Sequence, residues 1–387
     1  MVWPHSFTDL RDAARRRLPR FLFDYVDGGS FDQVALARNA AAVRAVALRQ
    51  RVLNDVSEAD LSTDLFGHRL DMPLMLAPVG MGGMLRRRGE IQAARAAQAN
   101  GVPFVMSTVA LCSIDEVMNA TPAPFWFQLY VAKDRGFVMD LLTRAKGAGC
   151  PVLFMTVDLP VPGPRWRDQR SGLSGPPGLT GQWRRWTQIL SHPHWALDVG
   201  LRGKPHTLGN LVPIMKGNVR LNDFLSWSGR NFDPSVTWKD LEFIRSHWDG
   251  PLVLKGIMDP EDARRAADIG ADGLVVSNHG GRQLDATTGT AEALPAIAAA
   301  VGERLTVLAD GGVRNGLDIL RMLALGAKGV MIGRPWAFAL AAGGEEAVSR
   351  MLAQMATELR AGLALTGCGR ARDAGPHLLA GPPAWPR

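Results

Sequence analysis

The sequence predicts an α/β fold, a (β/α)8 barrel with a long insertion after its fourth strand. Three observations lead there. Eight short apolar runs alternate with stretches of helical periodicity. The runs are mostly uninterrupted Val, Leu, Ile and Met, which suits strands buried on both faces of a parallel sheet. The segment after the first run, Pro78-Val79-Gly80-Met81-Gly82-Gly83, lacks the GxGxxG turn that a doubly wound open sheet would need there.

In chain order the predicted strands are Pro73–Ala77, Pro103–Met106, Trp126–Tyr130, Val152–Val157, Pro251–Lys255, Gly273–Ser277, Leu305–Ala309 and Gly329–Ile332. Helical patterns between them include Glu90–Asn100, Arg135–Gly147, Pro260–Ile269 and Gly316–Leu325, several of which end at a glycine suited to a left-handed C-cap. The tail after Thr366, with Pro376, Pro382, Pro383 and Pro386, reads as a loosely held end. A length of 387 residues allows one large domain or two ordinary ones, and the barrel takes residues 1–387 as one.

Between the fourth and fifth strands the composition changes. Residues 165–233 hold ten Lys and Arg against four Asp, a net of +6 out of +7 for the chain, and five of its 11 tryptophans. This basic, Trp-rich segment reads as a long loop insertion on one barrel face. Loops of that length are uncommon unless functional or disordered.

Composition excludes several classes. At 47% hydrophobic and 21% charged the chain is an ordinary globular protein. Its three cysteines, Cys112, Cys150 and Cys368, form neither a disulfide framework nor a CxxC site for zinc, a cluster or covalent haem, so a reducing compartment fits. Charged residues interrupt any N-terminal signal core, and the longest uncharged apolar stretch, Met72–Leu85, is too short to span a bilayer. No metal is expected. His192 and His194 have no carboxylate or cysteine near them in sequence and read as a loop pair. Only two tyrosines occur, Tyr25 and Tyr130, so each merits tracking.

In a (β/α)8 barrel the chemistry sits where the strands end. Those ends read Pro78/Gly80, Ser107, Gln128/Tyr130, Thr156/Asp158, Lys255, Ser277/His279/Arg282, Asp310/Arg314 and Gly333/Arg334. All but the first carry a hydrogen-bonding or charged group, more than chance would place at one mouth. The densest element is Ser277-Asn278-His279-Gly280-Gly281-Arg282-Gln283-Leu284-Asp285. Its glycine pair allows a tight turn, its histidine can take a proton near neutral pH, and its arginine can hold a carboxylate. A His-Gly-Gly-Arg loop could by itself be a mere turn. Asp158 across the mouth adds the carboxylate that supports a histidine base. Lys255 reads as a snorkelling lysine, as an anion partner or as a Schiff-base amine. Asp310-Gly311-Gly312-Val313-Arg314 and Gly333-Arg334 read as a phosphate cradle after strands seven and eight. FMN accounts for the cradle and the buried cation; a small α-hydroxy acid accounts for the base and the carboxylate clamp.

At these residues the chain resembles the FMN-dependent α-hydroxy-acid oxidases and dehydrogenases. The Ser277–Asp285 motif is similar to that family's signature, and the resemblance runs from about Leu18 to about Gly367. Within it the likeness is greatest to the bacterial respiratory L-lactate branch, through Phe21–Ser30, Val46–Leu53, Trp126–Phe137, Thr156–Asp168, His192–Leu201 and Asn231–Arg245. The resemblance implies roles. His279 would be the base with Asp158 as its partner, and Tyr130 would hydrogen-bond near the substrate hydroxyl. Arg165 and Arg282, assisted by Tyr25, would hold the substrate carboxylate. Pro78, Val79, Gly80, Ser107, Gln128, Thr156, Lys255, Ser277, Asp310, Gly311, Gly312, Arg314, Gly333 and Arg334 would surround FMN. The implied reaction oxidises an L-2-hydroxy acid, L-lactate in the main reading and mandelate or a longer acid in the alternative. Two positions depart from the glycolate-oxidase pattern: Val109 replaces a Trp over the substrate, and Gly80 replaces an Ala near the flavin, which favours an acceptor other than oxygen.

The chain has no haem domain or cluster motif, so the electrons are expected to leave to an external acceptor, a quinone in the main reading. Trp sits well at headgroup depth and Lys/Arg attract anionic lipid, so the insertion is expected to dock a cytoplasmic protein on the inner face of the cell membrane. A solvated lid or a subunit contact is the competing reading. No nucleic-acid module accompanies the basic patch. A homotetramer follows by resemblance alone. The rivals are an oxidase using O2 and, from another class, a Schiff-base aldolase using Lys255.

Overall fold

The structure, a computed structural model, describes residues 3–174, 179–212 and 231–385. Three helices, Phe7–Arg17, Arg20–Asp27 and Val34–Ala45, precede a hairpin of β1 (Thr63–Leu65) and β2 (His68–Leu70). Phe66 and Gly67 both take positive φ at its tip, the backbone hand that matches strand twist in a two-residue turn.

Eight parallel strands follow: β3 (Leu74–Leu76), β4 (Val105–Ser107), β5 (Trp126–Leu129), β6 (Leu153–Thr156), β7 (Leu252–Ile257), β8 (Gly273–Val276), β9 (Thr306–Ala309) and β10 (Gly329–Ile332). Each predicted strand has its counterpart. From β4 to β10 neighbours pair in sequence order, β10 pairs with β3, and a parallel bridge from Leu76 to Phe104 closes the ring. The sheet is therefore a barrel.

Alternation along the strands divides the core in two. Met75, Val105, Trp126, Phe154, Val253, Val275, Leu308 and Met331 fill the interior, and Leu65 and Leu70 of the hairpin pack with them as a floor. Trp126 stacks on Phe154 and meets Phe66 edge-on. The residues between them, such as Leu153, Met155, Leu252 and Leu254, face the helix layer. With its interior packed, the barrel offers its ligands only the open end, where the strands terminate.

Local chemistry explains the helix ends. Asp134 caps Arg135–Gly147 by accepting from Phe137 N, Asp259 caps Pro260–Asp268 and Asn315 caps Gly316–Ala324. The long last helix, Arg334–Thr366, breaks at Gly344, whose φ is +71°.

Two expectations need correction. The tail is not loosely held. Cys368, Ala371 and Leu378 are buried, and the backbone pairs Leu379 with Leu48 and Arg370 with Asp60, so the segment straps the chain ahead of the hairpin. The insertion is not simply a loop. Its described part folds into helices Trp166–Ser171, Leu179–Leu190 and Pro193–Trp195, the last continuing as a wider turn through Ala196–Leu201. Trp195 belongs to the core, its indole donating to Met84 O at 2.8 Å, whereas Trp183 and Trp186 are exposed. Trp227, Lys216, Arg220 and Arg230 lie outside the described residues. Among the described residues no helix is long and apolar enough to cross a membrane.

Candidate active site

The strand ends open into one cleft. Tyr25, Pro78, Val79, Gly80, Val109, Tyr130, Thr156, Arg165, Lys255, His279, Arg282, Asp310, Gly311, Gly312, Arg314, Gly333 and Arg334 all line it. Three residues expected around the cofactor, Ser107, Gln128 and Ser277, are buried behind that lining. Ser107 donates to Gln128 Oε1 at 3.1 Å and Gln128 donates to Thr156 Oγ1 at 2.9 Å, a polar ladder across three strand ends.

The turn after β8 shapes the densest part. His279, Gly280 and Gly281 have φ of 57°, 64° and 73°, three consecutive left-handed residues that only a strongly held loop sustains. A Cβ on Gly281 would come within 2.5 Å of Leu36 N, so glycine is required there. What holds the turn was not apparent in the sequence, although Asn278 and Asp285 lie within the motif itself. Asn278 and Asn39 exchange amide hydrogen bonds of 2.7 and 2.9 Å, and Asp285 accepts from Ala35 N at 2.9 Å. A polar residue on a helix far upstream gives no local sign of that pairing.

His279 Nδ1 lies 2.9 Å from Asp158 Oδ1, with both side chains mostly buried. Asp158 Oδ2 has no partner among the described residues. Burial would raise the Asp158 pKa, but His279 and Lys255 outweigh it and hold the carboxyl below its usual range. The pair leaves Nε2 as the histidine atom available to a substrate. Burial drives the Tyr130 phenol far above its ordinary pKa, so it stays a neutral donor.

Lys255 does not snorkel. It is buried, with Nζ 2.8 Å from Ser277 Oγ and 2.9 Å from Asp310 Oδ2. Burial would lower its pKa, but Asp310 and Asp158 outweigh this and raise it. A lysine held as an ammonium suits an anion partner and is the opposite of a Schiff-base nucleophile, which must be neutral to attack. The aldolase reading loses its residue.

The four arginines are held differently. Arg282 donates to Tyr25 O at 2.5 Å and Gly28 O at 3.0 Å and lies over the Tyr25 ring. Arg334 donates to Val26, Gly280 and Gly28 carbonyls at 2.8–2.9 Å, bracing the N-terminal helix against the histidine loop. Arg314 donates to Val313 O and stacks over Phe7, and burial lowers its pKa to about 10. Arg165, where the insertion begins, has a buried Nε with no partner among the described residues, and burial followed by Arg282 lowers its pKa to about 10.

These groups fit a flavin phosphate and ring. Gly311 and Gly312 line the cleft with φ of 88° and 84°, a backbone hand suited to cradling an anion, and a Cβ on Gly312 would fall 2.2 Å from Asn39 O. The ammonium of Lys255 has three N–H groups and uses two on Ser277 and Asp310, leaving one for the cleft.

The comparisons with known proteins agree with this geometry. The family model for FMN-dependent dehydrogenases matches residues 14–381. An L-lactate dehydrogenase of Caulobacter vibrioides is 60% identical over 362 residues, covering 94% of each chain. One from Acinetobacter baylyi is 55% identical over 95% of each. Among solved structures, a monotopic membrane protein, (S)-mandelate dehydrogenase, superposes with a TM-score of 0.91 at 33% identity, covering 97% of this chain and 99% of that one. A mandelate oxidase bound to (S)-4-hydroxymandelic acid gives 0.83 at 37%, covering 97% and 98%. The chain belongs to the FMN-dependent dehydrogenases.

Proposed function

We propose that this enzyme oxidises L-lactate to pyruvate and passes the two electrons to a quinone at a membrane surface. The observation that carries the reading is that His279, paired with Asp158, and Arg165, whose buried Nε–H has no partner among the described residues, line the same cleft. A 2-hydroxy acid presents a carboxylate and, one carbon away, the hydrogens that must leave. Arg165 and Arg282 hold the carboxylate, with Tyr25 beside them. Tyr130 donates near the hydroxyl, and His279 Nε2 takes a proton while Asp158 stabilises the resulting imidazolium. Bound FMN supplies the two-electron sink. Lys255, Arg314, Arg334, Gly311, Gly312 and Gly333 hold it, with Pro78, Val79 and Gly80 against its ring and Ser107, Gln128, Thr156, Ser277 and Asp310 supporting from behind. L-lactate is favoured over mandelate because the relatives called L-lactate dehydrogenase are 54–60% identical, against 33–37% for the mandelate enzymes.

Anaerobic flavin reduction against a panel of 2-hydroxy acids tests the reaction. L-lactate should bleach the flavin with the highest ratio of rate to dissociation constant, and a protein bleached only by mandelate would refute the substrate. Stoichiometric peroxide in air, with no reduction of a quinone analogue, would refute the acceptor. Docking is supported by the exposed Trp183, Trp186, Leu190, Leu197 and Leu201 on the insertion. Deleting residues 178–217 should abolish co-sedimentation with anionic vesicles, and undiminished binding would assign the insertion to a lid or subunit contact. A homotetramer and a cytoplasmic, inner-face location belong to the same reading; sedimentation velocity and cell fractionation test them.

A further inference from the structure

The geometry points to Glu90 as a positioning residue that sets the spacing of Gly80 and Val109 beside the flavin, and through it the affinity for the hydroxy acid. It rests on the reading of the cleft as an FMN and hydroxy-acid site.

Glu90 is fully buried in the first turn of the helix Gly89–Ala99, outside the cleft. A buried carboxylate is costly unless hydrogen-bonded, so its partners matter. Its Oε1 accepts from Gly83 N at 3.0 Å and from Leu111 N at 2.9 Å. Those two amides belong to different segments. One continues from Pro78, Val79 and Gly80 at the end of β3; the other continues from Ser107, Thr108 and Val109 at the end of β4. One oxygen therefore ties together the two chain segments that form one wall of the cleft.

The wall is built to close tolerance. Met81 N donates to Val109 O at 3.0 Å, just above the Glu90 tie. A Cβ on Gly80 would fall 2.7 Å from Val109 Cγ2 and 3.3 Å from the Tyr25 hydroxyl, so the slot between Gly80 and Val109 admits a hydrogen and nothing larger. The Tyr25 hydroxyl also donates to Gly80 O at 3.4 Å. A shift of either segment thus moves a carboxylate-holding tyrosine and the residue over the substrate together. Glycine at 82 and 83 makes room for the carboxylate: a Cβ at either position would approach its oxygens to 3.2 and 3.1 Å. No backbone amide reaches Oε2 and the Cys112 thiol lies beside the carboxylate, so the tie to both segments is made by Oε1, an oxygen that a glutamine carbonyl can also supply.

The test compares E90A with E90Q in the FMN-loaded enzyme. E90Q retains a carbonyl oxygen for both amides and should stay within about threefold of wild type in L-lactate dissociation constant and in flavin reduction rate. E90A loses the tie and should bind L-lactate roughly tenfold to a hundredfold more weakly, with a shifted visible flavin spectrum before any substrate is added. Titration of the apoprotein with FMN, read by quenching of flavin fluorescence, should show weaker binding for E90A and not for E90Q. If E90A does not fold, G83A replaces it: its Cβ would press on Leu111 Cβ at 2.8 Å and on Glu90 Oε2 at 3.1 Å, pushing the segments apart while the carboxyl group is still present. Native substrate affinity and an unshifted spectrum in E90A would overturn the proposal. So would equal damage in E90A and E90Q, which would assign the effect to the buried charge. A wild-type protein that no hydroxy acid reduces would fail the functional reading instead, while the FMN titration still judges Glu90.

Discussion

Replacing Asp158 with Asn removes a charge while keeping size and shape, which makes it the sharpest test of the proposed base. The carboxylate oxygen lies 2.9 Å from His279 Nδ1, and the two side chains are 11% and 18% exposed. With charge centres about 4 Å apart and an effective dielectric of about 20, the carboxylate stabilises an imidazolium by roughly 4 kcal/mol. An Asn oxygen still accepts from Nδ1–H, returning about 1 kcal/mol. The net loss of about 3 kcal/mol corresponds to a reduction rate lower by roughly a hundredfold. The loss should appear almost wholly in the rate, because the imidazolium forms only as the substrate gives up its proton. The proposed carboxylate clamp of Arg165 and Arg282 is untouched. Anaerobic stopped-flow at graded L-lactate separates the two quantities. A D158N enzyme that reduces its flavin within fivefold of wild type, or that loses only substrate affinity, would refute the assignment of His279 and Asp158.

Other expectations follow from the same cleft. K255M leaves Asp310 buried without its cation and should destabilise the apoprotein by roughly 3–5 kcal/mol in urea unfolding, with K255M/D310L recovering at least half. Because the folded pKa of Lys255 is raised, its contribution is fully present below the unfolded lysine pKa and lost only as pH climbs through the folded value. The stability gap between wild type and K255M should therefore be present from pH 7 to about 10 and shrink at higher pH; a gap that stays constant as pH rises past about 11 would contradict the pairing. R165K keeps the charge but loses the guanidinium fork, so L-lactate affinity should fall about tenfold. G80A forces a Cβ to 2.7 Å from Val109 Cγ2 and should cost roughly 1–3 kcal/mol in substrate binding, which V109A in the same chain relieves; strictly additive effects would disprove the contact.

What could be read from the sequence follows from where each signal resides. A strand buried on both faces declares itself as an apolar run, so all eight barrel strands were legible. Arg135–Gly147 begins at the cap Asp134, and the left-handed glycine that ends it is Gly149, at φ +69°, two residues beyond Gly147. β7 runs two residues past Lys255, because Gly256 at φ +114° makes a bulge that looks like a stop in sequence. The tail was misread because four prolines outweighed its spaced buried residues, and its pairing with Leu48 and Asp60 is long-range. In the site, residues at strand ends were legible from barrel geometry alone. Tyr25 came only with the family resemblance, since it lies on a helix well before the first barrel strand. Asn39, Asp285 and Glu90 act through backbone amides and partner side chains brought near by folding, which no spacing in the chain reveals.

Folding redistributes the charge of the insertion. Of its ten cations, Arg165 faces the cleft and Arg167 is paired with Asp24 and Asp27 of the helix that carries Tyr25. Arg170, Arg184, Arg202 and Lys204 are exposed. Near an anionic surface each contributes about 1 kcal/mol, so roughly 4 kcal/mol in all, and salt screens much of it. Trp183 and Trp186 are 72% and 60% exposed. Burying a tryptophan removes roughly 200 Å² from water, so at about 25 cal/mol/Å² the exposed fractions of these two supply about 7 kcal/mol, which salt does not screen. Leu190, Leu197 and Leu201 add to the apolar side. Docking should accordingly survive high salt in weakened form, and W183S/W186S should release the protein from vesicles even at low ionic strength. Complete elution by salt, with W183S/W186S binding like wild type, would show that the basic residues carry the contact and that the exposed tryptophans serve another partner.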